Sequence, residues 1–142
     1  MKKFLLIFIP FLIIFYSCKE DEPSSSSNGG SNSKTVRIVA TINKTGTSMP
    51  TIVYSNENGG TSQVQSKSLD KSFKANSGTK ISLSASCTAE VPRNEYNQVI
   101  GNAYGSINLQ IYIDGSLKAS GQDVKTSSSS VTVSASCSSI VP

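Results

Sequence analysis

The chain has 142 residues, with 13 lysines and arginines against 9 acids, a formal net charge of +4, three cysteines, no tryptophan and no histidine. The basic residues are scattered without a run, so nucleic acid is not an expected partner; the missing histidine removes the usual general base and the commonest transition-metal ligand. With 37% apolar and 7% aromatic residues, the composition supports one modest core.

The chain opens on Met1-Lys2-Lys3 and a nearly uninterrupted apolar run of thirteen residues, Phe4 to Tyr16. A span across the hydrocarbon takes about 20 apolar residues, so this run is too short to remain as a membrane helix. A charged start, a short apolar core and a small residue before a break make an export signal. Ser17-Cys18 resembles the end of the bacterial lipobox, with Phe15 and Tyr16 where that motif has an aliphatic and a smaller residue. The resemblance implies cleavage before Cys18, lipid such as palmitate on its thiol, and a lipoprotein held in the outer membrane; an ordinary signal peptide with a coincidental cysteine is the other reading. Each buried acyl methylene adds about 0.8 kcal/mol of membrane affinity, so a multiply acylated cysteine is a stable anchor. Lys19-Glu20-Asp21-Glu22 resembles the short acidic signal of surface-exposed Bacteroidetes lipoproteins, or equally a solvated start to a linker. The expected division is a signal peptide over 1–17, a lipidated cysteine and tether over 18–33, and a domain over 34–142. Pro23 to Ser33 is all small and polar, a flexible coil with a reach of roughly 20 Å.

From Lys34 the hydrophobic period becomes two. Val36, Ile38, Ala40 and Ile42 alternate with polar residues, predicting a strand with one buried face. Pro50 marks the start of a short strand at Thr51–Tyr54, closed by Asn56 to Gly60. Ser62 to Ala75, with sparse apolar points at Val64, Leu69 and Phe73, predicts an edge strand and a second strand. Thr79 to Cys87 buries Ile81, Leu83, Ala85 and Cys87 and leaves serines outside. Ile107, Leu109, Ile111 and Ile113 alternate strictly into Asp114-Gly115, a tight hairpin signal, with a return strand at Ser116–Ser120. The last strand, from Ser130, buries Val131, Val133, Ala135 and Cys137. Seven or eight short strands without a helical period predict an all-β, antiparallel immunoglobulin-like β-sandwich, with a small barrel as competitor.

Ile81 to Cys87 is echoed fifty residues later by Val131 to Cys137, through duplication or through one burial pattern drawing twice on the same small alphabet. Cys87 and Cys137 share the inward phase. In an oxidising compartment they are expected to pair, closing a loop worth roughly 4 kcal/mol in the chain-entropy model; free buried cysteines are the alternative.

The segments Thr51 to Asn56, Leu83-Ser84-Ala85, Ile111 to Gly115 and Val133 to Cys137 together resemble the MmpS-type transport accessory proteins. Those are small immunoglobulin-like exported domains that accompany lipid exporters of the RND class. The resemblance implies the sandwich fold and an accessory role in an envelope transporter or assembly. The chain departs from that pattern in having no tryptophan, in placing a cysteine at Cys87 rather than near Leu109, and in an opening that reads as cleaved and lipidated.

No catalytic constellation is present in the sequence. Serine is abundant without a base to activate it, Glu90 and Glu95 read as solvated loop acids, and no calcium-loop or nucleotide-loop spacing occurs. No cofactor or metal is therefore expected, and the expectation is a non-catalytic protein that binds an envelope protein or glycan. The candidate binding surface is the seventeen-residue stretch Thr88 to Tyr104, because long unstructured connections in compact domains are often functional. Arg93, Tyr96, Asn97 and Tyr104 would suit a sugar, an aromatic body stacking while polar tips hydrogen-bond. The competing reading is a hairpin-forming excursion with Val99 and Ile100 tucked into the core.

Overall fold

The computed structural model describes residues 32–142; the signal segment and Cys18 lie outside them. Eight strands follow in chain order: β1 (Ser33–Lys44), β2 (Thr51–Ser55), β3 (Thr61–Gln65), β4 (Ser68–Asn76), β5 (Lys80–Ala89), β6 (Ala103–Ile113), β7 (Ser116–Ser127) and β8 (Val131–Ile140). They form two four-stranded antiparallel sheets, ordered β4-β1-β6-β7 and β3-β2-β5-β8. The β-sandwich is therefore as the alternation predicts. The chain changes sheet between β1 and β2, β3 and β4, β4 and β5, β5 and β6, and β7 and β8.

The core is built from the inward phases. Val36, Ile38, Ala40 and Ile42 of β1 and Ile107, Leu109, Ile111 and Ile113 of β6 are buried from one sheet; Ile52, Ile81, Leu83 and Val133 face them from the other. Full burial of each such aliphatic side chain is worth roughly 1.5–3 kcal/mol relative to exposure. Tyr54 and Phe73 fill the flank, and Lys71, on the inner phase of edge strand β4, lays its ammonium 5.5 Å from the Tyr54 ring centroid. An inward-pointing charge on an edge strand discourages a further strand from adding there.

The turn at Asp114-Gly115 has both residues at positive φ (48° and 78°), as a two-residue hairpin of this hand requires. It is tied to β1: the Asp114 amide donates to the Thr35 carbonyl at 2.8 Å, the Thr35 amide to Asp114 Oδ1 at 2.9 Å, and Lys34 pairs with the carboxylate at 3.1 Å.

Two expectations need correction. The return strand β7 does not stop near Ser120; it stays in register with β6 as far as Ser127 opposite Ala103. Its second half lies along the free edge of β8. There Asp123 Oδ2 accepts from the Ser134 amide at 3.1 Å, Lys125 Nζ donates to the Thr132 carbonyl at 2.9 Å, and a Cβ on Gly121 would stand 2.5 Å from the Ser136 carbonyl oxygen. Two sheets are thus sealed along one side by side chains instead of a shared ladder.

The second correction concerns the cysteines, which are both free thiols. Strands β5 and β8 are antiparallel neighbours, with Cys87 opposite Val133 and Cys137 opposite Leu83. Four residues of ladder separate the two positions, roughly 13 Å, whereas a disulfide needs Cα atoms about 4.4–6.8 Å apart. A shared inward phase is not a shared position. Burial pushes both thiols above the usual thiol range, which keeps them protonated.

The registers also define two poles. The start of β1 lies with the β2–β3, β4–β5 and β6–β7 turns; the end of β1 lies with the β1–β2, β5–β6 and β7–β8 connections. Twelve residues of β1 separate the poles, about 40 Å.

Candidate functional site

The candidate stretch emerges at the pole where β1 ends. Its root is held by Thr45. The Thr45 amide donates to the Tyr104 carbonyl at 2.9 Å, and its hydroxyl donates to the Glu90 carbonyl at 2.6 Å while accepting from the Tyr104 amide at 3.0 Å. The Glu90 amide returns a bond to the Thr45 carbonyl at 3.2 Å. Lys44 braces the same region: its ammonium donates to the Thr88 carbonyl at 3.0 Å and to Ser48 Oγ at 2.9 Å. One β1–β2 connection therefore fixes where β5 ends and where β6 begins, so the excursion between them leaves from a rigid base.

The excursion itself is a small hairpin. Arg93 and Val99 form a bridge, the Ile100 amide donates to the Pro92 carbonyl at 3.0 Å, and the Asn94 amide to the Gln98 carbonyl at 3.0 Å. Asn94 organises the tip: its Oδ1 accepts from the Tyr96 and Gln98 amides at 3.0 and 2.9 Å, and its Nδ2 reaches Gln98 Oε1 at 3.0 Å. Asparagine does this because its short side chain mimics a backbone turn. Asn97 takes the left-handed conformation, φ 62°, and Arg93 donates to its carbonyl at 2.7 Å.

The four residues expected to meet a ligand therefore separate. The Arg93 side chain is spent on the hairpin's own geometry, whereas Asn97 lends it only its backbone. Tyr96 stands out at the tip, 75% exposed. Tyr104 belongs to β6, opposite Thr126 on the outer face of its sheet. The excursion does form a hairpin, but Val99 and Ile100 are not tucked into the core: they are 53% and 64% exposed and share the hairpin with Tyr96. Tyr96, Val99 and Ile100 are thus three apolar side chains left open on one hydrogen-bonded hairpin.

Sequence reading missed a second polar surface, on the outer face of the β4-β1-β6-β7 sheet. Beside Tyr104, an open depression of about 480 Å³ is lined by Asn43, Asn108, Gln110 and Gln122 from three strands. The outward phase of each strand was readable; which outward residues become neighbours depends on the pairing.

Among the described residues no cluster of three or more His, Cys, Asp or Glu side chains is placed to hold a metal ion. Fold and site together define a two-sheet antiparallel sandwich with a rigid, apolar-tipped hairpin at one pole. Comparison with protein-family models, with curated proteins and with solved structures finds no match.

Proposed function

We propose that this chain is a non-catalytic bacterial envelope lipoprotein, anchored in the outer membrane through a lipidated Cys18, whose sandwich domain contacts a protein or glycan partner with its distal hairpin. The observation that carries the binding half is placement. Tyr96, Val99 and Ile100 are exposed on a hairpin whose backbone is already hydrogen-bonded, at the pole opposite the start of β1, where the tether joins. A preordered apolar tip loses little conformational freedom on binding, which leaves more of its burial as affinity. The signal-like opening and the Ser17-Cys18 junction support the anchoring half.

Both halves are tested separately in a diderm bacterial host. Cys18→Ala is expected to lose incorporated palmitate and leave the membrane fraction; a variant that partitions and is processed like the natural chain overturns the lipoprotein reading. A photo-activatable residue at position 96 is expected to give envelope adducts that the same residue at position 78, on the opposite pole, does not. Equal labelling at both positions overturns the binding tip, and adducts with an RND-type exporter subunit would assign the accessory role.

A further inference from the structure

The three-strand surface beside Tyr104 is separate from the hairpin tip and independent of the anchor. Register brings its parts together: Asn43 of β1 opposes Ser106, Thr41 opposes Asn108, and Asn108 in turn opposes Gln122 of β7. The side-chain amides of Asn43, Asn108 and Gln122 make no hydrogen bond with any described residue, while Gln110 accepts from the Tyr112 hydroxyl at 3.0 Å. Asn108 and Gln122 stand directly opposite one another, about 4.5–5.5 Å apart, and Asn43 lies on the diagonal from Asn108, about 7–8 Å away, so donors and acceptors from three adjacent strands share one face. Tyr104, 41% exposed, and Val124, 60% exposed, supply an apolar margin.

None of the residues lining this depression carries a charge. The Arg37–Asp70 pair on the same face is satisfied within itself, Nε to Oδ1 at 2.8 Å. An anionic ligand would find no fixed positive partner here, and a peptide strand would find the side chains of a sheet face, the nearby edge of β7 being turned to β8 through Asp123 and Lys125. The chemistry that fits is a neutral chain of hydroxyls with an apolar ring face: vicinal hydroxyls match an amide that both donates and accepts, and a ring face covers a tyrosine. The outer face of the other sheet lacks this pairing. Its depression, about 330 Å³, is lined by hydroxyls such as Ser84, Ser86, Ser134 and Ser136, with no amide and no aromatic ring.

We propose that the Asn43–Asn108–Gln122 surface with Tyr104 is a binding site for neutral polysaccharide. The site is open, so single-sugar contacts are weak and a long chain is the appropriate probe. Full-length protein in detergent is run through native gels containing α-mannan, dextran or hydroxyethyl cellulose, with alginate as the anionic comparison. The expected result is retardation by at least one neutral polymer and none by alginate. The double variant Asn108→Ala, Gln122→Ala should weaken that retardation at least about tenfold, the loss of two net hydrogen bonds, and Ser84→Ala on the opposite sheet should not change it. Thermal melts check that the variants fold; should the double variant fail, Asn108→Asp keeps the shape, removes the donor and is expected to lose retardation on its own. No retardation by any neutral polymer, retardation by alginate alone, or equal retardation of folded variants would overturn the site.

Discussion

At the scale of single residues, two glycines show two different reasons for lacking a side chain. Gly115 meets nothing within 4 Å of an added Cβ, but holds φ 78°. An alanine there pays only for the left-handed backbone, about 1–2 kcal/mol. Gly121 has no such conformation; its constraint is the Ser136 carbonyl oxygen, 2.5 Å from where a Cβ would sit. Backbone cannot step aside as a flexible side chain can, so β7 has to lift from β8. Gly121→Ala is expected to lower unfolding free energy by about 1–3 kcal/mol, the usual cost of overpacking, read as a fall in the urea midpoint; an unchanged midpoint would mean that the two strands do not touch in solution. Asn97 resembles Gly115 in backbone and Asn94 has no glycine counterpart at all, since its amide is the template for the hairpin tip.

At the scale of elements, three aspartates tie strand to strand. Asp123 is held below the usual carboxylate range mainly by the Ser134 amide, Asp114 by the Thr35 amide with help from Lys34, and Asp70 by its hydrogen bond from Arg37. Each is a better base when unfolded than when folded, so the stability that each contributes is present above about pH 4 and drains away as pH falls through and below the usual carboxylate pKa. The melting temperature should be flat from pH 7 to about 5 and drop below about 4, more shallowly in Asp123→Asn, which still accepts from Ser134 but cannot titrate. A parallel drop in both proteins would remove Asp123 from that account. These same contacts explain what the sequence could show of the fold. β1, β5 and β6 are legible because every second residue enters a continuous apolar core. The second half of β7, Gly121 to Ser127, falls outside the return strand legible at Ser116–Ser120 because its inward positions meet the edge of β8, where a glycine, a carboxylate and an ammonium are the useful side chains. The hairpin over 90–102 was legible as an excursion, but the exposure of its Val99 and Ile100 was not, since sequence does not mark which apolar residues stay on the surface. The polysaccharide face was out of reach, because Asn43, Asn108 and Gln122 become neighbours only through pairings dozens of residues apart in sequence.

At the scale of the whole molecule, the echo between Ile81–Cys87 and Val131–Cys137 is built into one antiparallel pair, turned about the opposed Ala85 and Ala135. Serines oppose serines on the outside: Ser84 faces Ser136 and Ser86 faces Ser134. Such a repetitive pair is poorly protected against sliding, because any even-numbered slip keeps carbon inside and hydroxyls outside. What specifies the register lies on the neighbouring strand, where Asp123 is bonded to the Ser134 amide and Gly121 abuts the Ser136 carbonyl. A slip of β8 by four residues would set Cys87 directly opposite Cys137, at a separation that an oxidant can close. Were that slip populated during oxidative folding, a non-native disulfide would lock it, whereas the native register leaves Cys87 and Cys137 as free thiols. Refolding the reduced chain in a glutathione redox buffer should yield a minor monomer bearing the Cys87–Cys137 bond, and a larger share of it in Asp123→Ala; non-reducing mass spectrometry that found none in either protein would dismiss the slip. In an oxidising space the share of native protein would then depend on β7 docking before Cys87 and Cys137 meet an oxidant, and so on the order of events in folding as well as on the final contacts.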